Sequence, residues 1–333
     1  MRLRRVFVSL FFVLAALTAV AAWLALRPLQ FPAERIEFHI KSGSSLRTIA
    51  SQLADAGVPV VPWQFRFLGR VAGRAQTLKA GSYELDSGTS AWHLLDKFTR
   101  GDVTQGDVIL VEGWTFRQFR AALDQNTDLD HQTRGLPDAA VMEKLGLADK
   151  APEGMFFPDT YYFDKKSSDM QVLRRAYAAM QQQLAQLWQQ RDPANVLRNS
   201  YEALVLASVV EKETGSAVDR GNVASVFVNR LRANMPLQSD PTVIYGLGER
   251  FDGNLRKRDL LADTPFNTYT RAGLPPTPIA MPGLASLRAA LRPASTNYLY
   301  FVARGDGSSE FSRTLDEHNR AVQRYQRKRG GSS

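Results

Sequence analysis

Two carboxylic acids close a strongly apolar stretch in the C-terminal half of this chain. Tyr201 to Gly215 reads Tyr-Glu-Ala-Leu-Val-Leu-Ala-Ser-Val-Val-Glu-Lys-Glu-Thr-Gly, apolar almost throughout from Ala203 to Val210 and ended by a glycine stop signal. A helix so apolar must be buried. Leu204, Ala207, Ser208 and Glu211 fall at i, i+3, i+4 and i+7, so the Glu211 carboxylate leaves the helix on a packed stripe. Burial disfavours the ionised form, and a carboxyl whose pKa is raised can hand over a proton near neutral pH. Glu213 lies about 200° further round the helix, so the two cannot act as a close pair on one face. It shares its own stripe with Leu206, Val209 and Val210, and periodicity alone does not choose between the two acids. The bland alternative for both is a charged helix end at the surface.

Composition removes several other chemistries. The 333 residues include no cysteine, which excludes disulfides, thiolate metal sites, a cysteine nucleophile and a cysteine-linked lipid. The four histidines, His39, His93, His131 and His318, have no zinc-ligand spacing, so a zinc hydrolase is not expected. A net charge of +9 raises the question of nucleic acid. The basic residues are scattered apart from Arg2, Arg4 and Arg5 at one end and Arg324, Arg327, Lys328 and Arg329 at the other, which reads as topogenic charge and a solvated tail. A nucleic-acid partner is not expected, and a basic exported surface would suit an anionic wall or phospholipid surface.

The elements that must position the two acids follow from the hydrophobic pattern. Val6 to Leu26 carries no charge and, at about 1.5 Å per residue, can cross a hydrocarbon core of about 30 Å. Arginines precede it, which places the N-terminus in the cytoplasm and everything after Arg27 outside. Ala19-Val20-Ala21 offers a signal-peptidase-like site, but the apolar run continues past it to Trp23, Leu24 and Leu26, and an uncleaved anchor is the preferred reading. Ile36 to Ile40 alternates as a half-buried strand, and Leu46, Ile49, Ala50 and Leu53 follow at helical spacing after a serine cap. Leu78 to Leu85 and then Ala91, Leu94, Leu95 and Phe98 weakly echo that unit.

Val108 to Thr115 reads as a buried strand ending in Glu112-Gly113, with a capped helix from Thr115 carrying Phe116, Phe119 and Leu123. Glu112 is a possible acid in its own right, although a strand-end carboxylate more often serves a turn. Glu153 to Phe163 gathers aromatic rings around an acid, a composition able to stack on sugars, although core packing is the preferred reading for most of those rings. A helix from about 169 to 191 is scaffold. Asp240 to Gly246 and Phe266 to Thr270 read as polar loops able to hold a substrate.

Ile40 to Ala50 resembles a LysM module, a glycan-binding fold, with a plain spacer as the alternative. The C-terminal half carries a denser resemblance. Ala207-Ser208-Val209-Val210-Glu211-Lys212-Glu213-Thr214, Val223 to Leu231, Leu237-Gln238-Ser239-Asp240-Pro241-Thr242-Val243-Ile244-Tyr245-Gly246, Phe266-Asn267-Thr268-Tyr269, Gly273-Leu274-Pro275-Pro276 and Tyr298 to Ala303 resemble, in order, the signature segments of the YceG-like, or MltG, family of endolytic murein transglycosylases.

That resemblance implies cleavage within peptidoglycan glycan strands, between N-acetylmuramic acid and N-acetylglucosamine, leaving a 1,6-anhydromuramyl end. It implies Glu211 as the single acid/base, working without metal or cofactor. Gln238, Tyr245 and Asn267 become candidates for holding the sugar, because amides and a phenol give directional bonds. Asp240 and Glu213 are further candidates beside substrate. The implied setting is a single-pass inner-membrane protein with a periplasmic catalytic domain, with cell-wall synthesis enzymes as possible partners. Two other functions compete: a hydrolytic muramidase using the same Glu211, and a non-catalytic membrane-tethered wall-binding protein. The expected architecture is α+β: a cytoplasmic tip at 1–5, a transmembrane helix at 6–26, a small LysM-like domain at 34–105, a larger mixed α/β catalytic domain at 108–325 around a buried catalytic helix, and a loose tail at 326–333.

Overall fold

The computed structural model describes residues 2–325, so the expected tail at 326–333 lies outside the described residues. Helices and short strands are mixed along the chain, which divides into two compact units. The first comprises residues 1–107 and 162–167, and the second residues 108–161 and 168–333. A single boundary near residue 106 therefore does not describe the chain, because a short later segment returns to the first unit.

The first unit begins with α1 (Arg2–Leu26), whose stretch Val6–Leu26 is by length and composition able to cross a membrane. Its large apolar side chains are exposed, Phe7 and Phe11 among them. There follow β1 (Arg35–Ile40), α2 (Leu46–Asp55), α3 (Pro62–Val71), β2 (Gly81–Asp86) and α4 (Ala91–Arg100). The strands pair antiparallel with Phe38 opposite Tyr83, and both rings pack on Phe98 of α4. Leu46, Ile49, Ala50 and Leu53 of α2 complete this core, as their spacing requires. Ser45 and Ser90 cap α2 and α4 by accepting from the Thr48 and His93 amides. Gly81 has φ +143, and a β-carbon there would sit 2.4 Å from Val103, so only glycine fits. The returning segment is tied in where Ser82 Oγ donates to the Lys165 carbonyl (2.6 Å) and Lys165 pairs with Glu37.

The strand expected at 108–115 is shorter and earlier: β3 spans Gln105–Ile109. It alternates in burial, with Gly106 and Val108 inside and Gln105, Asp107 and Ile109 exposed, because it belongs to a two-stranded sheet wet on one side.

In the second unit α5 (Phe116–Gln125) starts at a capping box formed by Thr115 and Gln118. α6 (Asp138–Lys144) and α7 (Asp169–Gln189) follow, and between them β4 (Thr160–Asp164), the partner of β3, crosses from the second unit into the returning segment of the first. Next come α8 (Ser200–Glu213), α9 (Arg220–Arg232), α10 (Asp240–Leu247), α11 (Lys257–Leu261) and α12 (Leu284–Leu291). The antiparallel pair β5 (Tyr300–Ala303) and β6 (Ser309–Ser312) leads to α13 (Leu315–Tyr325). α8 is the centre: Ala203 to Val210 are all buried, and α7, α9, α10 and α12 pack around it. The stretch from Asp240, expected as a loop, is helix, because Pro241 occupies the first turn where a missing N–H costs nothing.

Candidate active site

Asn199 caps α8 by accepting from the Glu202 amide (2.9 Å), and the helix ends at Glu213, where Thr214 turns extended. Inside the unit Ser208 Oγ donates to the Val205 carbonyl (2.7 Å) and accepts from the Ile279 amide (3.0 Å), fixing the segment before α12 against α8. The two acids at the end of α8 meet different surroundings.

Glu211 is half-buried and faces the start of α12, where its Oε2 accepts from the Gly283 amide at 3.0 Å. Glu112 lies on the other side of the same glycine: a β-carbon at Gly283 would fall 2.0 Å from Glu112 Oε1. Partial burial, and then the nearby charge of Glu211, raise the Glu112 carboxyl. The Glu211 side chain also runs past Gly113, whose amide donates to the Met281 carbonyl (2.8 Å). Glu211 thus ties the end of α8 to the start of α12, while Lys212 Nζ donates to the Gly113 carbonyl (3.2 Å) beside Glu112. The packed apolar setting expected for it is not what the structure has.

Glu213 faces a cavity of about 480 Å³. Gln238, Asp240, Arg230, Tyr269 and His318 line its polar side, and Leu237, Phe301, Val302, Ala303 and Val322 its apolar side. Ser239 Oγ donates to Glu213 Oε1 at 2.5 Å. Burial pushes the Glu213 carboxyl up to about 7, reinforced by the charge of Asp240 and opposed by the Ser239 hydrogen bond and the charge of Arg230.

The cavity wall is built on Arg230. Its guanidinium is buried, donates through Nε to the Leu299 carbonyl (2.7 Å), and donates through Nη1 to the Pro236 and Leu237 carbonyls and to Gln238 Oε1 (3.0 Å). These bonds hold Gln238 in a left-handed conformation, φ +54, which a glutamine adopts only when its neighbours require it. Burial lowers the Arg230 pKa, and the guanidinium lies over the Tyr300 ring, which stacks on His318. Across the cavity Tyr269 donates its hydroxyl to Asp240 Oδ1 (2.6 Å).

Of the six expected site residues, Glu213, Gln238 and Asp240 come together. Tyr245 does not join them. Its hydroxyl donates to Glu153 Oε2 (3.1 Å), and Glu153, buried and pushed up to about 7, also accepts from the Phe116 amide (3.0 Å). Asn267 is a correction: it has no exposed surface to offer a sugar. Its amide donates to the Asp259, Leu260 and Ala262 carbonyls and its oxygen accepts from the Tyr269 amide, so it shapes the loop that carries Tyr269. The sequence reading missed Arg230, Ser239, Tyr269 and His318 as participants, although all but His318 lie in the segments quoted for the family resemblance. Only partners distant in sequence distinguish them.

The family model described as the YceG-like family matches residues 38–324. A Bacillus subtilis (strain 168) protein named endolytic murein transglycosylase is 34% identical over 307 residues, 87% of this chain and 84% of that protein. A protein of the same name from Streptococcus pneumoniae (serotype 2, strain D39) is 28% identical over 318 residues. That alignment takes in 85% of this chain but 57% of the relative, so the chain spans a little over half of its length. Among solved structures, the YceG-like protein lmo1499 from Listeria monocytogenes is 31% identical, with a TM-score of 0.53 over 86% of this chain and 99% of that one.

Proposed function

Because the chain belongs to the YceG-like family, we infer that it is an endolytic murein transglycosylase whose acid/base is Glu213 rather than Glu211. One observation carries the assignment of the residue: Glu213 is the helix-end carboxyl that faces the polar cavity, with a pKa raised by burial to about 7. Glu211 is occupied instead with the Gly283 amide.

The reaction needs one carboxyl used twice. Protonated Glu213 gives its proton to the glycosidic oxygen between N-acetylmuramic acid and N-acetylglucosamine, and the C1–O bond breaks with the electron pair going to the leaving sugar. Positive charge develops at C1, where the substrate's own acetamido oxygen can support it. The Glu213 carboxylate then accepts the proton of the C6 hydroxyl as that oxygen bonds to C1, which closes the 1,6-anhydro ring and restores the acid. Ser239, donating to Oε1, orients the carboxyl and leaves the other oxygen for the transferred proton. Gln238 and Asp240, exposed at the rim, are placed to meet sugar hydroxyls.

α1 supplies the single-pass anchor, with the arginine-flanked N-terminus in the cytoplasm and both folded units on the periplasmic side. In the first unit, the β1–α2 segment that resembles a LysM module would add glycan affinity near the membrane.

The test is a digest of glycan strands read by mass spectrometry for Glu213→Gln and Glu211→Gln. The expected result is loss of anhydromuramyl products in the first and their retention in the second, whose amide oxygen still accepts from Gly283. Activity in Glu213→Gln with loss in Glu211→Gln would return the role to Glu211. A reducing end in place of the anhydro end would make the enzyme a hydrolytic muramidase. No products from the unmodified chain would leave a wall-binding protein.

A further inference from the structure

The two faces of α3 have opposite surroundings. Inward, Phe65 and Gly69 are buried, and a β-carbon at Gly69 would sit 2.7 Å from Leu46 Cδ2, so α3 lies as close to α2 as backbone permits. Outward, Trp63, Phe67 and Val71 stand at i, i+4 and i+8 with exposures of 64%, 60% and 71%. A run of large apolar side chains this open marks a surface that is covered in use.

Those three residues line one wall of an apolar groove of about 530 Å³, and the other wall is α1 from Leu17 to Leu26. That part of α1 is about 15 Å of helix, roughly half of a hydrocarbon core of about 30 Å. The groove is thus continuous with the surface that makes α1 able to cross a membrane. Arg66 and Arg70 flank the apolar run of α3, and Arg27 closes α1 with its guanidinium 5.4 Å from the Trp23 ring. Tryptophan and arginine side by side at the end of an apolar segment match the boundary between acyl chains and headgroups.

We propose that α3 is a second membrane element, an interfacial helix whose Trp63, Phe67 and Val71 enter the leaflet on the side of the folded units, with lipid acyl chains filling the groove between α3 and α1. Arg66 and Arg70 lie at the level of the lipid phosphates. The inference rests on α1 spanning the bilayer. It makes the first unit a part seated on the membrane surface rather than one hung from it by a tether.

The chain has no cysteine, so single labelling sites can be introduced without removing any. Phe67→Cys, Leu14→Cys in α1 and Val218→Cys, 85% exposed in the second unit, are each coupled to an environment-sensitive fluorophore. The full chain is reconstituted in vesicles of phosphatidylethanolamine and phosphatidylglycerol with or without nitroxide-bearing acyl chains. The expected result is quenching at Phe67→Cys close to that at Leu14→Cys and several-fold above that at Val218→Cys. A water-like, unquenched Phe67→Cys beside a quenched Leu14→Cys overturns the inference and keeps the anchor. A shielded but unquenched Phe67→Cys also overturns it, because protein, such as a second copy, then covers the groove. An unquenched Leu14→Cys removes the anchor itself.

Discussion

The raised pKa on which the proposed role of Glu213 depends also costs stability. Its folded pKa of about 7 lies above the ordinary carboxyl value near 4.5, so the native state binds the proton more tightly than the unfolded chain. Stability is then greatest below about pH 4.5 and falls as pH rises to 7, by at most about 3 kcal/mol for this group. Replacing Glu213 with Gln removes that loss. Thermal melts should show the variant more stable than the parent at pH 8, with the difference gone by about pH 4, provided the amide keeps the Ser239 hydrogen bond. The rate of strand cleavage should fall about tenfold per pH unit above 7, where the acid form is depleted. Arg230 is a second residue-level case. Its planar fork serves four acceptors at once, and Arg230→Lys should cost about 2–3 kcal/mol in denaturant unfolding and lower cleavage with it. Periodicity narrowed the candidate acid to two glutamates, and the family resemblance was read as favouring Glu211 rather than the Glu213 proposed from the cavity. Helical angle tells which way each points, but the hydrogen-bond partner of Glu213 is Ser239, 26 residues on, and that of Glu211 is Gly283, 72 residues on.

Among the elements, the caps of α2 and α5 were read from the sequence and proline-led helices were not. Serine, threonine and asparagine caps mark the starts of α2, α4, α5 and α8. α3 and α10 begin with proline in the first turn, a residue that reads equally as a helix breaker, and neither was expected. The junction of α8 and α12 gives a sharp test. Gly283 has φ −77, so alanine suits its backbone, and the three atoms nearest to an added β-carbon all belong to the Glu112 carboxyl. Gly283→Ala should destabilise by about 1–3 kcal/mol, and adding Glu112→Ala should recover most of it, a coupling that a double-mutant cycle of unfolding free energies measures. Additive losses would mean that the glycine matters for another reason. Ser208→Ala, which leaves the buried Ile279 amide without an acceptor, should cost a similar amount.

For the whole molecule, composition and the apolar run were enough to foresee a mixed α and β chain with one candidate membrane span. The way the chain divides was hidden, because it depends on the long-range pairing of β3 with β4. Since residues 162–167 complete the first unit, its covalent continuity and its folded continuity differ. A protease cut between 107 and 108 would therefore not release the first unit intact, for the larger fragment carries away one of its pieces. The same holds for recombination: a graft of this unit from a relative has to bring its own version of residues 162–167. Two crossover points chosen for sequence similarity alone would pair the Glu37 of one parent with the Lys165 of the other.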